Sequence, residues 1–371
     1  MKRRSVTQWS DERGVNLIEI MIAVAVTLVV VTAGFTVLAT TNKSMRANGQ
    51  VADTQQNVRV AMEMISRDVK LAGYGMVGSA VGACNTAIVP ADNNPAGPDA
   101  GPDSVSLVVP TTSSVAPLWT LAAAAGPGFN QITLQAGAVG PAATAGTMQS
   151  AGLAVNSVIS LAGATTATVS AIGGNTLTLN PPVAAPASFP AGTPVYLLQC
   201  ITYQVIPSPD PNQVCQGNSP CLTRGVAAAA LNCNVAGSPC APITAGIEDL
   251  QLAYGCDGCN AAVNGGIADG IIDDQNASNS FDQADFLTNT TWATSPLTPS
   301  TIMLVQVNIV ARQTSADEGL GEGTPGSMVL SGPVVISDHN PVNDATYDAA
   351  TYGQFRRRLL IRTVDARNLR L

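Results

Sequence analysis

Arg13-Gly14-Val15-Asn16-Leu17-Ile18-Glu19 opens the stretch that decides this fold: a basic flank, a glycine, then one carboxylate inside an apolar run that continues to Ala39. As a helix, residues 15–39 are about long enough to cross the hydrocarbon core of a bilayer. Lys2, Arg3, Arg4 and Arg13 precede the run, a bias that keeps this flank cytoplasmic. A carboxylate near the midplane costs roughly 2.5 to 3.5 kcal/mol, so an acid in such a span usually has a partner and a task. Two readings of Glu19 stay open on these grounds. It meets a cation, or it lies close enough to the cytoplasmic end to reach lipid headgroups.

Beyond the span, Val51, Val58, Met62, Ile65 and Val69 recur at steps of seven, four, three and four, which is one face of a helix. Asn57, Arg59, Glu63, Arg67 and Lys70 occupy the other faces. The same helix is therefore expected to leave the membrane and lay an apolar stripe on a globular domain, ending at Gly73 and Gly75. Continuous from Val15 to Ala72 it would measure about 87 Å. Gly34 and Gly49 are its weakest points. A coiled-coil arm would need heptads sustained further than these.

Charged residues make up only 11% of the chain, whereas Gly (34) and Pro (24) are frequent, which suits loop-rich β structure better than a helical enzyme. A net charge of -8 argues against a nucleic-acid partner, because phosphate binding needs clustered Lys and Arg. Residues 79–102, rich in Gly, Pro, Asn and Asp, read as a connecting loop. Short strands are expected at 104–109, 131–135, 157–161, 167–172 and 175–179, and longer ones at 194–206, 247–254, 301–313 and 357–364. Together these elements predict an α+β fold with the helix stripe packed on an antiparallel sheet.

Eight cysteines, seven of them between Cys200 and Cys259, fit an oxidising compartment. Cys256-Asp257-Gly258-Cys259 has the spacing of half a zinc knuckle or a redox pair. No second half lies near it, and the only histidine is His339, so disulfides are the better reading. Nearness in the chain suggests Cys215 with Cys221, Cys233 with Cys240 and Cys256 with Cys259, leaving Cys84 with Cys200. Residues 248–285 carry eight acids and no Lys or Arg. Asp269, Asp273 and Asp274 are a candidate calcium site, but the EF-hand pattern is missing and a solvated acidic loop is preferred. Arg356, Arg357, Arg358, Arg362, Arg367 and Arg370 crowd the end of the chain, and either a partner surface or a charge-protected strand edge fits them. Catalysis finds little support. Ser337, Asp338 and His339 are mere neighbours, no G-x-S-x-G elbow is present, and no nucleotide-binding glycine loop stands between a strand and a helix, so no cofactor is expected.

The stretch around Gly14 resembles the class III signal of type IV prepilins, in which a dedicated membrane peptidase cuts after the glycine and the new terminus is methylated. That resemblance implies cleavage between Gly14 and Val15, with Val15 standing where the family usually has Phe. It makes Glu19 mature residue five, the acid thought to pair with the terminal amine of a neighbouring subunit. Removing the leader, with four basic and two acidic residues, would take the net charge from -8 to -10. Three further segments resemble the PilW family of minor pilins: Arg67-Asp68-Val69-Lys70-Leu71-Ala72-Gly73-Tyr74-Gly75, residues 246–255 ahead of the Asp-rich loop, and residues 305–312. Phe355-Arg356-Arg357-Arg358 with Ala366-Arg367-Asn368 resembles that family's usual end.

What the resemblance implies is a type IV pilin-like architecture. Residues 1–14 form a cleaved leader, 15–76 the helix (15–39 transmembrane, 40–76 amphipathic), and 77–371 a β-rich, disulfide-stapled headgroup with a candidate inserted module at about 104–194. The expected partners are other minor pilins, the major pilin, the prepilin peptidase and the inner membrane. The expected work is pilus assembly in a priming or tip complex, supporting adhesion and twitching motility. The protein would sit in the inner membrane with a periplasmic headgroup before assembly, and in the pilus afterwards. A minor pseudopilin of type II secretion and a membrane-tethered surface binder stand as alternatives.

Overall fold

The computed structural model describes residues 16–78, 80–94, 96–111, 118–138, 140–185, 187–215, 219–226, 231–316, 333–345 and 347–370. Helix α1 spans Leu17–Leu71 without interruption, about 82 Å at 1.5 Å per residue. Its first turn is capped by Asn16, whose side-chain oxygen accepts the Ile18 N–H at 3.3 Å. It ends at Leu71 rather than at 76 because Gly73 turns into the left-handed region (φ +79) and donates its N–H to the Val108 carbonyl at 2.9 Å. A Cβ at Gly73 would lie 2.9 Å from the Ala87 Cβ, so both the backbone angle and the space favour glycine.

The buried face of α1 starts later than the hydrophobic spacing indicates. Val51 is half-buried, and continuous burial begins at Thr54 and runs through Val58, Ala61, Met62, Ile65 and Val69 to Ala72. Complete burial of a residue such as Ile65 is worth roughly 1.5 to 3 kcal/mol, so this stripe rather than helix propensity holds the lower half of α1 in place.

The strands are β1 (Ile88–Ala91), β2 (Ser104–Pro110), β3 (Trp119–Leu121), β4 (Gln131–Ala136), β5 (Val158–Leu161), β6 (Thr165–Gly173), β7 (Thr176–Asn180), β8 (Pro194–Ile206), β9 (Cys221–Val226), β10 (Ala241–Ala245), β11 (Ile247–Cys256), β12 (Ile302–Arg312) and β13 (Arg357–Asp365). Two short helices, α2 (Ala145–Ser150) and α3 (Ala349–Tyr352), lie between them. Ten strands form one antiparallel sheet and β11-β12-β13 a second. Four strands were not anticipated, and β1 lies inside the segment read as a loop. Each is six residues or fewer, and β1 and β10 contain Pro, which erases the alternation that marks a strand.

Strand β8 organises the larger sheet. Its second half pairs with β2 (Ile201 opposite Leu107) and β9 (Ile201 opposite Val226), while its first half pairs with β3 (Val195 opposite Trp119) and β5 (Val195 opposite Leu161). Because β3, β4, β7, β6 and β5 pair in turn and both ends of that series return to β8, they close a small barrel. The barrel has its own core, including Trp119, Leu134, Met148, Val169, Leu177 and Leu197. By contrast β2 contributes Val105, Leu107 and Val109 to the core under α1, so the second core takes in residues after 110 and not from 104. That first core joins α1 to both sheets through Tyr203, Leu252, Val307 and Val364.

Disulfides join Cys84 to Cys200, Cys215 to Cys221, Cys233 to Cys240 and Cys256 to Cys259. Ion pairs on the helix surface matter far less than this packing. Arg362 of β13 meets Glu63 of α1 at 2.9 Å, but both side chains are largely exposed, at 45% and 75%. Arg362→Ala is therefore expected to cost about 0.5 kcal/mol or less, a shift near the resolution of a thermal melt.

Candidate assembly interface

Every residue from 16 to 42 of α1 is exposed, and this half touches no part of the headgroup. Its 18-residue apolar window has a mean hydropathy of 2.5, long and apolar enough to cross a membrane. Polar side chains inside it are tied back to the helix. The hydroxyls of Thr27, Thr32, Thr36, Thr40 and Thr41 donate to the carbonyls of Ala23, Leu28, Thr32, Thr36 and Val37 at 2.7 to 2.9 Å. Each hydroxyl is thereby satisfied without water, as a span in lipid requires. Glu19 differs. It sits exposed in the first helical turn, and among the described residues its carboxylate has no side-chain partner. Gly14 and Val15, the expected processing residues, lie outside the described residues, as does the whole leader.

Where α1 meets the headgroup, Asp68 forms a clasp that sequence spacing did not single out. Its carboxylate is 3% exposed and accepts from the Tyr203 hydroxyl at 2.6 Å, Arg224 Nε at 3.1 Å and Arg67 Nε at 3.0 Å. One helix residue thus grips β8 and β9 together. Val60 of α1 and Leu359 and Ile361 of β13 stay exposed, and Val60 and Ile361 line a groove together with Arg59, Glu63 and Arg362. Strand β13 is the edge of its sheet, paired only with β12.

The arginine-rich end is divided in its roles. Arg357 is nearly buried: its Nη2 donates to Glu248 at 2.8 Å, its Nη1 to the carbonyls of Tyr352 and Phe355, and its guanidinium lies 3.2 Å from the Tyr352 ring centroid. Arg358 is exposed on the strand, and Arg367 approaches Asp365 at 3.8 Å. Among the described residues, Glu248 is the acid of residues 248–285 that meets an arginine of β13, Arg357, and it also lies 3.8 Å from Arg312 of β12.

Asp269 and Asp282 are exposed as a solvated acidic loop would have them, but three of the other acids correct that expectation. Asp257, Asp273 and Asp285 are buried and serve as backbone acceptors. Asp257 takes the N–H groups of Asp269 and Gly270, Asp273 those of Cys259 and Asn260, and Asp285 those of Gln275 and Asp282, all at 2.7 to 2.9 Å. Asp274 does the same from a more open position. Against a desolvation that acts to raise it, the N–H groups of Asn279, Ser278 and Asn276 hold its carboxyl below the ordinary value. With Asp273 committed to the backbone and Asp269 on an exposed turn, the structure does not gather Asp269, Asp273 and Asp274 around one point.

His339 is no catalytic base. Its Nδ1 lies 2.6 Å from Asp249 and its Nε2 2.8 Å from Asp344, so neither ring nitrogen is left to accept a proton from a nucleophile. Burial pushes the imidazole down, but the hydrogen bonds and charges of Asp249 and Asp344 outweigh it and raise the pKa from 6.5 to about 10. The stabilisation is therefore fully present below pH 6.5 and is lost as pH climbs toward 10. Thermal melts between pH 6 and 10 are expected to fall more steeply for wild type than for His339→Gln. Parallel curves would contradict this clasp.

These features define a class: an α+β protein on one long helix, whose apolar half stands clear of a disulfide-linked headgroup. Residues 214–368, from the first short disulfide loop through β13, match the family model described as Type IV Pilus-assembly protein W, PilW. The match supports the PilW family and implies a role related to type IV pilus assembly; with the apolar helix, it points to membrane anchoring. No curated protein and no solved structure matches the chain.

Proposed function

We propose that this chain is a minor pilin that acts with other minor pilins and the major pilin in a priming or tip complex of the type IV pilus. Adhesion and twitching motility follow through the filament rather than through catalysis. In this reading the prepilin peptidase cuts between Gly14 and Val15, Val15 is methylated, and the protein waits in the inner membrane with its headgroup outside the cytoplasm. The observation that carries the proposal is Glu19, the one ionisable side chain in an exposed apolar half-helix whose hydroxyls are otherwise satisfied. A carboxylate there with no side-chain partner among the described residues favours assembly, because a neighbouring chain's terminal amine would neutralise it. The PilW match supports the same reading, and the groove between α1 and β13 offers an edge on which a neighbouring headgroup can lie.

The test is deletion of the gene with separate assays of surface pili and of protein secretion, and amino-terminal sequencing of the purified protein. Loss of pili with secretion intact, and a mature chain beginning at Val15, are expected. Lost secretion with normal pili would transfer the chain to a type II secretion pseudopilus. An uncut leader with normal pili would make it a membrane-tethered binder.

A further inference from the structure

Three acids from two separate segments of the headgroup converge. Asp92 follows β1, Asp99 lies in the loop toward β2, and Asp338 sits in a turn closed by hydrogen bonds between Ile336 and His339. One carboxylate oxygen from each lies within 4.8 Å of the others. Among the described residues no Lys, Arg or His pairs with any of the three. The nearby His339 is committed to Asp249 and Asp344.

An independent observation concerns satisfaction rather than proximity. Asp99 is 0% exposed; its Oδ1 accepts the Asn94 N–H at 2.8 Å, whereas its buried Oδ2 meets no N–H donor and has beside it only the carboxyl of Asp103, whose own oxygens accept the N–H groups of Asn93 and Leu252. Neither carboxylate oxygen of Asp338 has a well-formed hydrogen bond, although the Ser337 and Thr288 side chains lie near enough to ease its charge. A buried carboxylate oxygen that meets no N–H donor and stands among further carboxylates is a costly arrangement unless a cation occupies the space between them.

We propose that Asp92, Asp99 and Asp338 bind one calcium ion, which ties the loop between β1 and β2 to the turn at 336–339. The donor set is all carboxylate, which selects hard cations over zinc or copper. Calcium–oxygen distances of about 2.4 Å let ligand oxygens stand up to about 4.8 Å apart across the ion, whereas magnesium at about 2.1 Å demands a tighter octahedron. Backbone attachment already positions two of the ligands: Asp92 Oδ2 accepts the Thr290 N–H at 3.1 Å, and Asp99 donates its own N–H to the Asp338 carbonyl at 3.4 Å. The site is independent of the pilus reading and would serve any headgroup of this build.

Full-length protein in detergent, stripped with EGTA and then dialysed against calcium chloride, supplies the test by equilibrium dialysis with radioactive calcium and by thermal melting. One calcium per chain and a melting temperature higher by about 5 °C at saturation are expected. Asp338→Asn, at a half-buried position, should weaken calcium binding at least tenfold with unchanged far-UV dichroism. Asp92→Asn serves as the second variant, and Asp269→Asn should bind like wild type. Absence of bound calcium in the wild-type protein, an equal response to magnesium, or loss of binding in Asp269→Asn alone would each overturn the assignment.

Discussion

Glu19→Ala is expected to leave the melting temperature of the headgroup unchanged and to reduce the amount of this chain in sheared pili at least tenfold. The first half follows from position: residues 16–42 are exposed and contribute nothing to either headgroup core. The second half rests on the proposed pairing in the filament. Taken alone, removing a carboxylate from a span favours membrane insertion by about 2.5 to 3.5 kcal/mol, so a defect cannot be laid to failed insertion. If the acid neutralises a neighbour's terminal amine, its loss strands that amine in an apolar bundle. Breaking such a pair typically costs about 3 to 5 kcal/mol, more than a hundredfold in an equilibrium. Glu19→Gln separates charge from shape. Impairment equal to that of Ala assigns the effect to charge; wild-type incorporation of Glu19→Gln would overturn the charge pairing, and wild-type incorporation of Glu19→Ala would remove Glu19 from the mechanism. Immunoblots of membrane and pilus fractions give both readings from one culture.

What could be read in advance divides by the range of the interactions involved. The stripe of Val58, Met62, Ile65 and Val69 was legible because a helix repeats its burial every three to four residues, whatever it packs on. Strand β8 was likewise plain as a long apolar run. Short strands such as Trp119–Leu121 were not, since three residues carry no period and their existence depends on the partners β4 and β8. The acids show the same limit. Asp257, Asp273 and Asp285 looked solvated as residue types, yet each is buried because the turns around it present N–H groups that only a folded loop brings together. Asp68 was hidden among charged helix residues, and nothing in its spacing tells that Tyr203, 135 residues away, supplies its hydroxyl. Asp92 and Asp99 are separated from Asp338 by most of the chain, so their meeting belongs to topology alone. Glu19 is the reverse case: its significance lies in standing as one acid in an apolar run, which the sequence already announces.

The largest stability effect is expected from the Cys84–Cys200 bond. It closes a loop of 116 residues, and that loop contains β1 to β7, hence nearly the whole second core. In the chain-entropy account, a closed loop of this order restricts the unfolded chain by about 4.7 kcal/mol, against about 2 kcal/mol for the three-residue separation of Cys256 and Cys259. Both sulfurs are buried, Cys84 at 0% and Cys200 at 1%, among Val81, Val108, Val158 and Leu198, so replacing both residues by Ala also removes packed volume without leaving a polar atom behind. The double variant Cys84→Ala with Cys200→Ala should therefore melt roughly 8 to 12 °C below wild type, and the double Ala variant at Cys256 and Cys259 only about half as far below. Limited proteolysis gives a second reading. With the long bond gone, the first new cuts are expected between residues 111 and 194, because the barrel remains joined to the helix-backed sheet through β8 but has lost its covalent tie to the exit of α1. A melting temperature within 2 °C of wild type, with the barrel still resistant, would mean that β8 pairing alone holds the two cores together.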